Sequence, residues 1–176
     1  MAFLRGALAA FALLVGLASS APAVSEGDPA PTVKLTALDG VPMDLAEFRG
    51  KVVVLDFWAT WCAPCVDQLT GLQRVSSDGA LGDFVVVAAS IDDDVDAPKA
   101  FLVEKFPKAK FRVAHDPGGD ALASFGADGI PALYVLDRAG VVRHTHFGPG
   151  GDDDLEKTLS ALLAAPPSAP ARGPVD

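Results

Sequence analysis

Two cysteines stand in this 176-residue chain, Cys62 and Cys65, with Ala63 and Pro64 between them. Sulfurs at that spacing can cycle between dithiol and disulfide, one thiolate attacking and the other resolving. A passive staple is a poor use of them, because a two-residue spacer closes too small a loop to constrain the unfolded chain much. Structural zinc wants four ligands. No second cysteine pair exists, and His115, His144 and His146 are not spaced to complete a site. The spacing points to electron transfer through the pair, with no metal or cofactor expected.

The elements around the pair must place it. Lys51 to Trp58 is a nearly continuous apolar run, as in a strand covered on both faces. A helix should begin near Cys62 and run towards Val75, with Val66, Leu69, Leu72 and Val75 on one face. Cys62 then sits at a helix start, where unpaired N–H groups and the dipole favour a negative sulfur. It is the expected nucleophile, and Cys65, one turn along and less exposed, the resolving thiol. Pro64 falls in the first turn, where proline costs little. Trp61 flanks the nucleophile and should shape a docking surface, whereas Trp58 suits the core. Asp56 lies six residues before Cys62 among Leu55, Phe57 and Trp58. Buried there, its carboxyl would resist ionisation and could take a proton from Cys65; at a strand end it would instead face solvent, and alternation does not decide between the two.

Further along, Thr32 to Leu38 and Val41 to Leu45 flank Asp39-Gly40 as a β-hairpin, followed by a short turn over 46–50. Strands are expected over 84–91, 111–115, 132–137 and 141–147. Helices are expected over 97–106, 119–125 and from Asp152 to Ala164. Asp92, Asp94 and Asp96 have the spacing of hard cation ligands, but a calcium loop's glycine at position six and glutamate at position twelve are missing. Helix-capping aspartates before Pro98 are the better reading. Strands alternating with helices, closed by a hairpin and a helix, predict an α/β fold with a central mixed sheet.

Residues 1–23 carry Arg5 as their sole charge, an apolar run from Ala7 to Ala18, and Ala21-Pro22-Ala23 as a cleavage site. This reads as a secretory signal peptide, its apolar core short for a membrane span; the alternative is a retained N-terminal anchor. Residues 24–31 are expected as a linker, 32–165 as one domain, and 166–176, with four prolines, as a disordered tail. Export would put the pair in a periplasmic or other extracytoplasmic space, where disulfides persist. A net charge of −9 argues against a nucleic-acid partner.

The run Asp56-Phe57-Trp58-Ala59-Thr60-Trp61-Cys62-Ala63-Pro64-Cys65 resembles the active-site segment of the thioredoxin superfamily. From Pro31 to Ala165 the chain is similar to TlpA-like thiol:disulfide oxidoreductases, through the Asp39-Gly40 hairpin, the Phe48-Arg49-Gly50-Lys51-Val52-Val53 lead-in and a helix-strand insert. The resemblance implies a thioredoxin-like fold, with an N-terminal hairpin and a central mixed sheet flanked by helices. It also implies a redox-active Cys62–Cys65 disulfide and a cis-proline loop at Ile130-Pro131 before the strand Ala132 to Asp137. In that loop the Ile130 backbone would meet an extended substrate segment beside Trp61, Ala63 and Pro64.

The implied substrate is a disulfide-containing protein, with cytochrome c maturation or metal-site assembly as family settings. A membrane-bound donor would supply electrons. Nothing suggests an obligate partner, so a monomer is expected. Strongly oxidising relatives carry a histidine between the cysteines; its absence here leans the reading towards a reductant. The chain departs from the pattern in three places. Asp56 stands where many TlpA-like members have asparagine, Ala88 near where thioredoxin's lysine partner would fall, and Thr70 where thioredoxin's helix-kinking proline would fall. Two other activities share related folds. A thiol peroxidase usually has threonine where Ala59 stands. A copper chaperone usually has a wider cysteine spacing and a distant histidine, for which His144 or His146 would serve.

Overall fold

The computed structural model describes residues 23–78, 82–150 and 152–166; residues 1–22 of the expected signal peptide and 167–176 of the expected tail lie outside the described residues. The order of elements is β1 (Leu35–Ala37), β2 (Pro42–Met43), a 3-10 turn (Leu45–Phe48), β3 (Val53–Trp58), α1 (Ala63–Asp78), β4 (Val85–Ser90), α2 (Asp96–Lys105), β5 (Arg112–His115), α3 (Asp120–Ser124), β6 (Ala132–Leu136), β7 (Val142–Phe147) and α4 (Asp152–Ala164). Among the described residues the strands form one mixed sheet in the order β2-β1-β5-β4-β3-β6-β7. β3 lies between a parallel β4 and an antiparallel β6 and is buried along its whole length, which explains an apolar run interrupted only by Asp56.

Alternation along β3 divides the core. Val53, Leu55 and Phe57 enter one cluster with Leu45, Phe48, Leu122, Phe125 and Tyr134. Val54 and Trp58 enter the other, with both cysteines, Leu69, Leu72, Leu155 and Leu159. Asp56 falls on that second face, because residues two apart share a side of the sheet. α1, α2 and α4 cover this side; α3 and the 3-10 turn cover the opposite one.

The expected elements are present, with informative differences at their ends. The hairpin closes at Gly40, whose φ of 88° is a left-handed value that glycine takes without strain. β2 stops at Met43 rather than Leu45, because Asp44 and Glu47 form a reciprocal capping box that turns Leu45–Phe48 into a 3-10 helix. α1 continues to Asp78 without a break at Thr70, whose hydroxyl donates back to the Val66 carbonyl. Residues 24–30 lie against the domain. Val24 N–H donates to Phe125 O, Gly27 N–H to Val142 O and Ala30 N–H to Gly140 O, and Pro29 bridges Val141. Among the described residues no helix is long and apolar enough to cross a membrane.

Candidate active site

β3 ends at Trp58 and α1 begins at Ala63, so a four-residue loop carries Cys62 to the helix entrance. Cys62 occupies the capping position. Its carbonyl accepts the Val66 N–H at 3.2 Å, and its Sγ accepts the Cys65 N–H at 3.3 Å. The sulfur thus fills the place where a capping oxygen would satisfy an orphan N–H. The same N–H and the helix dipole would stabilise a thiolate there. Cys62 and Cys65 are joined as a disulfide. Cys62 is 7% exposed and Cys65 fully buried, so an incoming thiol or disulfide meets Cys62 first.

The predicted surrounding residues divide by exposure. Trp61 is 68% exposed, and Ala63 and Pro64 are exposed between the sulfurs. The Ile130–Pro131 peptide is cis. Ile130 packs against the cluster that holds both cysteines. β6 starts only at Ala132, and Pro131 O accepts the Gly148 N–H, so Ile130 stands outside the ladder.

Asp56 is fully buried, which answers the question that alternation left open. Its strand neighbours in register are Ala88 on β4 and Leu133 on β6, so no lysine faces it there. Burial holds its carboxyl well above the ordinary value of 3.8, because the charged form loses its water. Its one side-chain partner among the described residues is Gln68, whose Nε2 donates to Asp56 Oδ1 at 2.7 Å. Gln68 is itself only 6% exposed. The sequence reading missed it, yet a signal was present: Gln68 lies three residues after Cys65 and four before Leu72, on the apolar stripe of α1. A polar side chain on a buried stripe needs a buried partner.

A second missed residue is Asp92, expected as a helix cap. Asp94 takes that part, its Oδ1 accepting the Asp96 N–H at 3.0 Å where α2 begins, while Asp92 is buried just past the end of β4. Its carboxylate accepts the Thr60 N–H at 3.0 Å, the Thr60 hydroxyl at 2.7 Å and the Ser90 hydroxyl at 2.7 Å. Its carbonyl meets His115 Nε2 at 2.6 Å. Thr60 is two residues before Cys62, so Asp92 ties the active-site loop to the neighbouring strand. Buried carboxyl oxygens need donors in place of water, and the loop residue and the strand hydroxyl supply them.

The histidines considered for copper lie on β7. His144 Nδ1 is 3.7 Å from Glu26 and His146 Nε2 meets Gly148 O. Among the described residues no three His, Cys, Asp or Glu side chains are grouped to hold a metal. Ala59, where a peroxidase would present a hydroxyl, is buried.

A thioredoxin-like fold that places a disulfide-forming C-x-x-C at the entrance of a helix defines a thiol:disulfide oxidoreductase. The comparisons agree. The Redoxin family model matches residues 25–162, and the chain belongs to that family, in its TlpA-like branch. It is 30% identical over 152 residues to the thiol-disulfide oxidoreductase ResA of Bacillus cereus, covering 86% of this chain and 87% of the relative. It is 31% identical over 156 residues to the thiol:disulfide interchange protein HelX of Rhodobacter capsulatus, covering 88% and 86%. A crystal structure from Chlorobium tepidum, assigned as a thiol:disulfide interchange protein DsbE, superposes with a TM-score of 0.73 at 32% identity. The match covers 81% of this chain and all of that one.

Proposed function

We propose that the protein reduces disulfides in protein substrates outside the cytoplasm, with Cys62 as the attacking sulfur and Cys65 as the resolving one. The observation that carries this reading is the Cys62 Sγ accepting the Cys65 N–H at the start of α1, with Cys62 the more exposed sulfur. In the dithiol state the Cys62 thiolate attacks a substrate disulfide, whose bond breaks and whose leaving sulfur takes up a proton. Cys65 then loses its proton and attacks Cys62. The mixed disulfide breaks, the second substrate sulfur leaves reduced, and the Cys62–Cys65 disulfide forms.

Asp56 is the proton carrier. As a carboxylate it accepts the Cys65 proton, and as a carboxylic acid it returns it when a donor thiolate reopens the disulfide at Cys62. A carboxyl held above its ordinary range suits both tasks, because burial moves its proton affinity in the direction of a thiol's. Trp61, Ala63, Pro64, Ile130 and Pro131 form the docking surface, with the free Ile130 backbone meeting an extended substrate segment. The signal-like residues 1–23 support an extracytoplasmic site of action, cleaved or anchored, and a membrane-bound protein as electron donor. A monomer acting in cytochrome c maturation or metal-site assembly fits the family resemblance. The absence of a histidine between the cysteines supports the reducing direction.

Insulin reduction with dithiothreitol as electron source tests the activity: the wild type should accelerate it and Cys62→Ser should not. Equilibration with glutathione tests the direction. A potential above about −170 mV, well towards the oxidising end of the range from thioredoxin to DsbA, would contradict a reductant.

A further inference from the structure

Hydrogen bonding around Asp56 leaves two atoms unmatched. Gln68 Nε2 donates to Asp56 Oδ1, but the other carboxyl oxygen, Asp56 Oδ2, and the amide oxygen, Gln68 Oε1, are both buried with no partner among the described residues. If Asp56 is ionised, both orphans are acceptors and neither can help the other. A buried acceptor left unmatched loses its water without a replacement donor, and here there would be two in one residue pair. One proton resolves both. A carboxylic acid carries a donor on one oxygen and an acceptor on the other, and a primary amide carries the complementary set.

We propose that in the disulfide form Asp56 is a neutral acid closed into a ring with the Gln68 amide, Nε2–H donating to Oδ1 and Oδ2–H donating to Oε1. Gln68, about one helical turn after Cys65 on α1, is then a positioning residue that holds the acid form of Asp56. The pair carries the proton that the leaving Cys65 sulfur needs when the disulfide is reopened. This deepens the proton-carrier role proposed above and rests on it for its meaning in the reaction, though the pairing itself is a property of the oxidised resting protein.

Few other groups compete for the proton. Asp56 meets Ala88 from β4 and Leu133 from β6. From α1 it meets Gln68, and Cys65 lies on the same buried face, unable to titrate while in the disulfide. Of the charged side chains on α1, Asp67 and Arg74 are exposed, and Arg74 pairs with Glu156 of α4. α4 turns Leu155 and Leu159 inward. His146 of β7 shares the sheet face two strands away, beyond Leu133, with its Nε2 against Gly148 O. Trp58, on the same face of β3, carries a buried Nε1–H that is also without a partner; being a donor, it cannot satisfy an Oδ2–H.

Carbon-13 NMR of the oxidised full-length chain tests the pairing through the sign of one shift. Gaining an O–H donor deshields the Gln68 side-chain carbonyl, so its Cδ resonance should move downfield as pH falls through the Asp56 midpoint. If Gln68 only donates to a carboxylate, acidification weakens that charge-assisted bond and Cδ should move upfield. Gln68→Leu assigns the Cδ signal and Asp56→Asn the Asp56 Cγ signal; in Asp56→Asn the Gln68 Cδ should no longer respond to pH. A downfield movement at the Asp56 midpoint, above the ordinary carboxylate range, is the expected result. An upfield or absent movement, or an Asp56 Cγ that titrates in the ordinary range, overturns the pairing. The proton-carrier role fails separately, if Asp56→Asn reduces insulin as fast as the wild type at every pH.

Discussion

The buried carboxyl of Asp56 should leave a measurable mark on the pH dependence of stability. Its pKa is raised in the folded chain by burial and returns to about 3.8 when the chain unfolds. Between those two values the folded protein holds a proton that the unfolded chain has released, so stability falls as pH rises. The contribution is complete below the ordinary carboxylate value and is lost as pH climbs through the raised one. One proton gives a slope of about 1.4 kcal/mol per pH unit in that window. Asp56→Asn keeps the shape and removes the titration. The measurement is urea unfolding of the oxidised wild type and of oxidised Asp56→Asn, at steps from acid to alkaline pH. Oxidised protein keeps cysteine titration out of the native state, and the comparison cancels groups common to both chains. The stability advantage of the asparagine variant should be near zero at the acid end, climb with that slope, and level off above the raised pKa. Two parallel curves would refute the reasoning, because they would mean that Asp56 has the same proton affinity folded and unfolded.

Two further outcomes follow from the hydrogen-bond pattern. Asp92→Ala should lose about 1–3 kcal/mol, the cost of stranding a buried donor, and should slow insulin reduction, because the Thr60 contacts that hold the loop before Cys62 are lost; Thr60→Val, which removes only the hydroxyl, should lose less in both denaturant unfolding and rate. At the β6–β7 turn, burial alone would raise the Asp137 carboxyl, but the N–H groups of Val141 and Ala139 and the Arg143 guanidinium outweigh it and hold it below the ordinary value. Asp137→Ala should therefore destabilise at neutral pH by about 1–3 kcal/mol, and the gap from wild type should narrow as pH falls through the lowered pKa.

The order of elements was legible because each carries its own local signal. β3 could be read from an apolar run, α1 from Val66, Leu69, Leu72 and Val75, and the first hairpin from Asp39-Gly40. The cysteine pair and the Ile130-Pro131 peptide were equally plain, since spacing and the family resemblance identify them without tertiary information. What escaped were pairings across sequence distance. Asp92 looks like a cap because it precedes a helix, and only the packing of β4 beside β3 brings it to Thr60. Gln68 looks like a surface residue until Asp56 is placed under the same face of α1. The short β2 is a different kind of miss: Asp44 and Glu47 stand at capping-box spacing in the sequence, a local signal that the reading of Val41 to Leu45 as a strand left unused.

The claim on which the mechanism rests is that Cys62 attacks and Cys65 resolves. Trapping with a disulfide-containing protein substrate such as insulin tests it directly, using non-reducing electrophoresis and peptide mapping of the linked cysteine. Reduced Cys65→Ser should accumulate a stable mixed disulfide through Cys62, while Cys62→Ser should accumulate none. Trapping by Cys62→Ser through Cys65, or by neither variant, would contradict the account.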